Sequence, residues 1–207
     1  KNRRIRAIIP VHFAGHPCEM DPLLSLARKH RWHVVEDAAH ALAAEYKGTP
    51  IGALRSTATC FSFYACKNLC AVEGGAIATA SASLDRKVRL WSLHGISRDA
   101  WKRYGKEGSW RYDVVEPGFK NNFTDVQAAL ALSQLAKLDR LQGRREEIAR
   151  RYSEVFSQEE ALEPPVVRPH VRKAWHIYVL RLRRSVLKVG RDHFIEELRR
   201  RNIGTSV

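Results

Sequence analysis

One stretch constrains the fold more than any other: an alternating run of aromatic and small residues that leads to a lysine and then to a pair of glycines. The run is Phe61-Ser62-Phe63-Tyr64, the lysine is Lys67, and the glycines are Gly74 and Gly75. Such alternation predicts a buried strand, and the glycines predict a loop that a ligand can approach closely. We therefore expect a strand that delivers one amine to a ligand-binding loop. An arbitrary lysine at a strand end would instead extend to solvent.

A second apolar run ends in an acidic pair, because Val34-Val35 is followed by Glu36-Asp37 and, three residues later, by His40. Carboxylates at the carboxyl end of a buried strand stand where open α/β sheets bind ligands. A lysine together with such a carboxylate is the minimum equipment for holding pyridoxal 5'-phosphate, with the amine attached to the cofactor and the carboxylate on its pyridinium nitrogen. From the residues alone, either acid of the pair could serve.

The periodicity predicts alternating strands and helices in the first half of the chain. Apolar runs at 6–13 and 33–36 flank a helix for which Asp21 is the expected N-cap, which makes a β-α-β unit with parallel strands. Further predicted elements are a hairpin at 42–46 and 49–51, strands at 58–63 and 75–79, a helix at 84–93, and an ordered functional loop at 94–118.

In the second half, a helix capped by Thr124 is expected to break or kink at Gln142-Gly143 and to resume to about residue 156. Pro164-Pro165 predicts a linker, followed by a strand at 175–182 and a helix at 191–201. The change near residue 160 predicts two units: 1–160, part of a large cofactor-binding domain, and 161–207, the start of a smaller C-terminal α/β domain.

Composition narrows the functional classes. The formal charge of +14 raises the question of nucleic-acid binding. However, acidic residues are interleaved in the basic helical segments, and no aromatic platform for stacking bases accompanies them. We therefore expect the basic residues to form solvated helix faces, and we expect no nucleic-acid partner. The four cysteines lack the spacing of a zinc site or a disulfide framework, and no segment is apolar and long enough for a membrane span. A cytoplasmic enzyme without a bound metal is therefore expected.

Four motifs together resemble the DegT/DnrJ/EryC1/StrS family of sugar aminotransferases. They are Asp37-Ala38-Ala39-His40, the run from Phe61 to Lys67-Asn68, Glu73-Gly74-Gly75, and Gly118-Phe119-Lys120-Asn121-Asn122. The resemblance implies an α/β fold, the pyridoxal-phosphate-dependent transferase fold type I, with a mostly parallel central sheet and flanking helices. Because family members are longer on both sides, and Met20 is the only methionine, we expect an internal fragment that lacks part of the phosphate-binding region.

The resemblance also implies roles for five residues. Lys67 would be catalytic and bind the cofactor, Asp37 would hold the pyridine nitrogen, His40 would lie beside the ring oxygen, and Ser62 would contact the phosphate. Asn122 would reach the cofactor of a neighbouring subunit in a homodimer with a shared active site. Each of these residues also has an alternative without a role in the site. Asp37 would then be a capping residue, His40 a structural histidine, Ser62 a core hydroxyl whose facing is open, and Asn122 a turn residue. For His12, Trp175 and His176, lining the substrate region and packing are equally open.

The implied activity is transfer of an amino group, with glutamate the expected donor, to a nucleotide-linked keto sugar for polysaccharide or antibiotic sugar synthesis. A sugar dehydratase of the same family would carry a histidine in place of Lys67, so Lys67 argues against that activity. The alternatives from other classes are a non-catalytic fragment that keeps the fold and a basic module that binds nucleic acid.

Overall fold

The computed structural model describes residues 5–96 and 113–207, so most of the expected functional loop, residues 97–112, lies outside the described part. The strands are β1 Ala7–Ile8, β2 His33–Asp37, β3 Glu45–Tyr46, β4 Thr49–Pro50, β5 Ala58–Ser62, β6 Gly75–Ala78, β7 Leu162–Glu163, β8 Val171–Arg172 and β9 Arg181–Leu182. The helices are α1 Met20–His30, α2 Ala82–Ser92, α3 Asp125–Leu135, α4 Leu138–Phe156 and α5 Arg191–Arg200, with a short 3-10 helix at Phe13–Gly15.

A four-stranded sheet in the order β1-β2-β5-β6 organises the first half of the chain. β1 and β2 are parallel and joined through α1, which confirms the predicted β-α-β unit, and β2 and β5 are also parallel. β6 runs antiparallel to β5. The carboxyl ends of β2 and β5 therefore meet the first residue of β6 at one edge of the sheet.

The main apolar core joins α1, β2 and the hairpin β3-β4 to a segment near the C-terminus. Met20, Val34 and Tyr46 pack with Val171 and Ala174, which are at most 9% exposed. β8 extends the hairpin by pairing antiparallel with β3. Residues 171–174 are thus built into the same core as the first 51 residues, while the division into domains near residue 160 stays a prediction.

Two sequence predictions in the first half are corrected. The strand expected at 6–13 is regular only at Ala7–Ile8 and is followed by a single bridge between Val11 and Asp37, because Pro10 has no N–H to donate and the chain turns into the 3-10 helix at Phe13. The N-cap of α1 is Glu19, whose side chain makes no cap hydrogen bond, and Asp21 lies inside the helix, where it pairs with Lys47.

Two predictions in the second half are also wrong. No break occurs at Gln142-Gly143, since α4 runs unbroken from Leu138 and the helical chain is interrupted earlier, between α3 and α4. The strand expected at 175–182 is reduced to Arg181–Leu182, because Trp175 adopts a left-handed φ of 49° that no strand accommodates.

The predicted cap of α3 is confirmed in detail. The Thr124 hydroxyl accepts from the N–H of Gln127, and the Gln127 side chain accepts from the N–H of Thr124, which forms a complete capping box. Across the described ranges 5–96 and 113–207, none of the helices has the length and hydropathy that crossing a bilayer requires.

Candidate active site

The acidic pair at the end of β2 is divided between the two faces of the sheet. Successive side chains of a strand point to opposite sides, and the register pairs Glu36 with Thr59 and Asp37 with Cys60. Glu36 therefore shares a face with Thr59, and Asp37 shares the other face with Cys60. Burial and the nearby Asp37 carboxylate both raise the pKa of the Cys60 thiol, in keeping with that placement.

Glu36 is fully buried and fully engaged. Its carboxylate is 2.8 Å from Nε2 of His12 and accepts a 2.8 Å hydrogen bond from the Thr59 hydroxyl. Burial by itself raises the pKa of Glu36, but hydrogen bonds to the carboxylate, chiefly the one from His12, outweigh burial and lower the pKa below its usual value. Nδ1 of His12 accepts from the N–H of Cys18, so this buried histidine packs in the core and does not line a site.

Asp37, by contrast, keeps one carboxylate oxygen without a partner among the described residues. Its Oδ1 accepts from the N–H of Ala39 at 3.1 Å, which closes a local turn. Its backbone N–H donates to Pro10, and its carbonyl accepts from the N–H of His12. The main chain of Asp37 is thus held by hydrogen bonds on both sides. One oxygen of its carboxylate remains available to a ligand.

Ser62 lies on the Asp37 face, which answers the facing that the sequence left open. It is the last residue of β5, two positions beyond Cys60, and alternation therefore returns its side chain to that face. Its Oγ accepts from the N–H of Tyr64 at 3.3 Å. The hydroxyl proton remains available to donate to an anionic oxygen.

His40 is placed and polarised by its neighbours. Its Nδ1 accepts from the N–H of Ala14 at 3.3 Å, so the neutral ring carries its proton on Nε2 and is a donor there. Burial and the positive charge of Lys67 lower the pKa of His40, and the Asp37 carboxylate opposes them only in part. A neutral N–H donor of this kind suits an oxygen atom of a ligand.

Lys67 lies on the loop between β5 and β6, residues 63–74, called the lysine loop below. The ends of this loop are closed by the pairing of Ser62 with Gly75 and by the bond from the Phe63 N–H to the Gly74 carbonyl. Within it, the N–H of Lys67 donates to Tyr64. The half-buried Lys67 side chain shares one local electrostatic environment with His40 and Asp37.

The segment that carries Asn122 packs against the lysine loop through the residues that follow Asn122. Its neighbour Phe123 packs against Phe63, with ring centroids 6.1 Å apart, and the Gln127 amide donates to the Glu73 carbonyl at 3.1 Å. A side chain on Gly74 would meet the Phe123 ring at 2.3 Å, so the glycine is needed for this contact. A role of Asn122 toward a second subunit stays a prediction.

Sequence reasoning gave no role to Asn68, although it directly follows Lys67. The side chain is buried, donates to the carbonyl of Ala174 at 2.7 Å, and meets Nδ1 of His176 at 3.1 Å. The His176 ring in turn lies 4.3 Å from the His40 ring. The signal in the sequence was a polar amide, Asn68, that lies between the candidate amine and the apolar Leu69.

The donor set fits pyridoxal phosphate. An amine, a partly unpartnered carboxylate, a neutral imidazole N–H donor and a hydroxyl surround one sheet edge, supplied by Lys67, Asp37, His40 and Ser62. The carboxyl ends of parallel strands are also where open α/β sheets bind ligands. The roles assigned to these residues remain predictions.

The chain is similar to known proteins over almost its whole length. The DegT/DnrJ/EryC1/StrS aminotransferase family profile matches residues 2–207. The spore coat polysaccharide biosynthesis protein SpsC of Bacillus subtilis is 49% identical over 205 residues, 99% of this chain and 52% of its own length. The chain spans about half the length of the curated relatives it matches.

Solved structures agree with this assignment. Spr1654 from Streptococcus pneumoniae in its PLP form has a TM-score of 0.87 at 32% identity, over 99% of this chain and 55% of that chain. Helicobacter pylori PseC, an aminotransferase involved in the biosynthesis of pseudoaminic acid, has a TM-score of 0.86 at 29% identity, over 97% and 52%. The expected α/β fold, with a mostly parallel sheet of the fold type I class, is confirmed.

Proposed function

The chain belongs to the DegT/DnrJ/EryC1/StrS aminotransferase family, and on that premise we propose that it carries the reacting lysine of a pyridoxal-phosphate-dependent sugar aminotransferase. The amino group would pass from glutamate to a keto sugar linked to a nucleotide. Lys67 is the catalytic residue, and Asp37, His40, Ser62 and Asn122 bind the cofactor.

One observation carries the proposal: Lys67 and Asp37 meet at the same sheet edge and both act on His40. Asp37 ends β2, Lys67 follows the adjacent β5, and the charges of both side chains influence the pKa of His40. Parallel strands place their carboxyl ends side by side, so this meeting follows from the fold. A lysine and an aspartate together match the two anchoring groups that the cofactor needs.

When bound, pyridoxal phosphate supplies an electron sink through which an amino group leaves one substrate and enters the next. Lys67 would hold the cofactor through its amine and, once that amine is free, would move the proton at the reacting carbon as general base and acid. Its place on a loop closed at both ends keeps the amine within reach of that carbon through both half-reactions.

The other side chains bind and orient. The ionised Asp37 carboxylate favours a proton on the pyridine nitrogen, because a nearby negative charge stabilises the cationic form. The Nε2–H of neutral His40 would donate to the ring oxygen, and the Ser62 hydroxyl would donate to the phosphate. Asn122 would reach the cofactor of a second subunit, so the proposed assembly is a homodimer.

The substrate class is supported by the relatives. SpsC is named for spore coat polysaccharide biosynthesis and PseC for pseudoaminic acid biosynthesis. We therefore propose a nucleotide-linked keto sugar on the way to a cell-surface polysaccharide, and we place the reaction in the cytoplasm. The domain division near residue 160 belongs to the same proposal, with residues 161–207 beginning the small domain.

The experiment uses the complete gene product. It is incubated with pyridoxal phosphate, its visible absorbance is recorded, and the protein is reduced with borohydride and digested for peptide mapping. We expect a visible band that glutamate bleaches, and a reduced label on Lys67. The Lys67→Ala variant should lose the band and the label, whereas Lys47→Ala, which removes an exposed lysine paired with Asp21, should keep both.

A label on a different lysine, or no band at all, would overturn the assignment. Retained nucleic-acid binding with a steep salt dependence, in the absence of cofactor binding, would instead favour the basic binding module. Bleaching by another amino acid but not by glutamate would overturn the proposed donor alone.

A further inference from the structure

We propose that Asn68 is a positioning residue for Lys67, which fastens the lysine loop to the turn at residues 174–176 and fixes the tautomer of His176. The proposal rests on the proposed function, in which Lys67 is the reacting amine. In this role Asn68 acts through Lys67 and needs no contact of its own with substrate or cofactor. Three observations lead to it, namely the hydrogen bonds of Asn68, the strain at Trp175, and the position of Asn68 beside Lys67.

The hydrogen bonds of Asn68 determine which way its amide points. A carbonyl can only accept, so the group 2.7 Å from the Ala174 oxygen is the Nδ2 donor. The Asn68 Oδ1 therefore faces His176 and can only accept, which requires the proton of that ring to lie on Nδ1, 3.1 Å away. Burial, followed by the charges of His40, Lys67 and Arg145, lowers the pKa of His176 to about 4, so the ring is neutral near pH 7.

The tautomer has a chemical consequence for the site. With Nδ1 protonated, Nε2 of His176 is an acceptor, whereas Nε2 of the neighbouring His40 is a donor. The two rings, with centroids 4.3 Å apart, therefore offer complementary hydrogen-bonding groups beside Lys67. Without the Asn68 oxygen, nothing among the described residues would select this tautomer of His176.

The strained turn is held on both sides by the same amide. Trp175 has a φ of 49°, which is unfavourable for a residue with a bulky side chain. Such backbone conformations persist only where several surrounding contacts hold them in place. Asn68 binds the residue before Trp175 and the residue after it, while the N–H of Ala174 donates to Gly15 at 2.8 Å. Asn68 is thus the main polar support of this turn from the lysine loop.

The effect reaches Lys67 through the chain itself. The N–H of Lys67 donates to Tyr64 at 2.9 Å, which ends a turn, and the very next residue is anchored to a segment 106 positions away. Loss of that anchor would leave Lys67 held mainly by local bonds in its loop. Misplacement of a reacting group by about 1 Å can cost about 100-fold in rate.

The test compares Asn68→Ala, His176→Phe and the double variant in the complete gene product. His176→Phe keeps a ring beside His40 but cannot donate to Asn68. We expect Asn68→Ala to lower kcat about 10- to 100-fold with a smaller change in KM, and His176→Phe to act in the same direction with a smaller effect. Because both variants break one shared contact, the double variant should cost little more than Asn68→Ala.

A second readout avoids activity and cofactor. Hydrogen exchange is followed by mass spectrometry in the cofactor-free Asn68→Ala variant. Compared with the unsubstituted protein, exchange should be faster in peptides that cover residues 64–72 and 174–178 and unchanged elsewhere. The control, His33→Ala at the exposed start of β2, should leave both regions and kcat unchanged. If the label of the unsubstituted protein falls on a different lysine, the proposed function has failed, whatever the exchange data show.

Three outcomes would overturn the positioning role. One is unchanged kcat and exchange in Asn68→Ala, and a second is faster exchange in every peptide, which would mean that Asn68 only supports the fold. Should Asn68→Ala fail to fold, His176→Phe decides, because its phenyl ring has no N–H to donate to Asn68 and leaves the bond between Asn68 and Ala174 intact. Normal kcat and normal exchange at 64–72 in that variant would be the third outcome.

Discussion

Glu36 and Asp37 are neighbours on one strand, yet the fold uses them in opposite ways. Glu36 faces the core, where His12 and Thr59 occupy its two oxygens and no part of it reaches solvent. Asp37 faces the edge where Ser62 and Lys67 lie, and it keeps one oxygen without a partner among the described residues. The strand pleat alone separates a satisfied acid from an available one.

This difference separates stability from activity at adjacent positions. A buried carboxylate with all its bonds made contributes to the folded state and offers nothing to a ligand. A partly unpaired carboxylate at a sheet edge stabilises the fold little and is ready to hold a cation. Substitutions on the two faces should therefore change different measurements.

The largest effect is expected at the edge, from Lys67→Ala. Removal of the amine should lower kcat about 1,000-fold or more, because both covalent attachment and proton movement are lost. The melting temperature should change by only a degree or two, since the half-buried side chain has no ion-pair partner among the described residues. Steady-state kinetics and thermal unfolding measure the two quantities, and a large loss of stability would contradict the comparison.

On the core face, Glu36→Gln should lower the free energy of unfolding by about 1.5–3 kcal/mol, because the two carboxylate oxygens accept charge-assisted hydrogen bonds from His12 and Thr59 and the amide keeps only one acceptor oxygen. The folded pKa of Glu36 is lowered, so its stabilising effect is present above about pH 4.5 and is lost as pH falls through the lower folded pKa. Urea unfolding at several pH values should show this dependence in the unsubstituted protein and not in the variant. An equal stability of the two proteins at pH 7 would be inconsistent with the buried pair.

At the edge, Asp37→Asn should lower kcat about 100-fold while leaving stability almost unchanged. The amide oxygen can still accept from Ala39, so the turn is kept, but the negative charge that favours a protonated pyridine nitrogen is gone. Kinetics at saturating cofactor and urea unfolding are compared with those of Glu36→Gln. The comparison fails if the two variants show the same pattern.

The last prediction concerns pH. The folded pKa of His176 is lowered to about 4, so the unfolded chain binds more protons between about pH 6.5 and pH 4, and stability falls as pH drops through that window. His176→Phe should remove this part of the slope. Thermal unfolding from pH 4 to pH 7 measures it, with His33→Ala as the matched control. A variant that retains the full slope would refute the assignment to His176.

Local patterns in the sequence predicted the elements that local chemistry determines. Strand β5, the lysine loop and the Thr124 capping box all follow from residues close together in the chain. The errors arose where contacts between residues far apart in the chain determine the local conformation. Trp175 leaves the strand pattern because Asn68 and Gly15 hold its neighbours, and Gly143 stays helical because the preceding Gln142 is buried and bonded to the Lys173 carbonyl.

The candidate site shows the same division. Lys67 and Asp37 could be named because each ends or follows an apolar run, and parallel pairing then brings them to one edge. The facing of Ser62 and the role of Asn68 depended on strand register and on a partner far along the chain. Neither can be deduced from spacing, since no local period encodes them.

The long reach of Asn68 also has a consequence for synthesis. The lysine loop closes between residues 62 and 75, so it can form soon after it leaves the ribosome, whereas the Ala174 partner of Asn68 is added 106 residues later. At a translation rate of about 5–20 residues per second, that interval is about 5–20 s. For that time the nascent chain carries Lys67 on a closed loop, while the amide of Asn68 lacks both of its long-range partners.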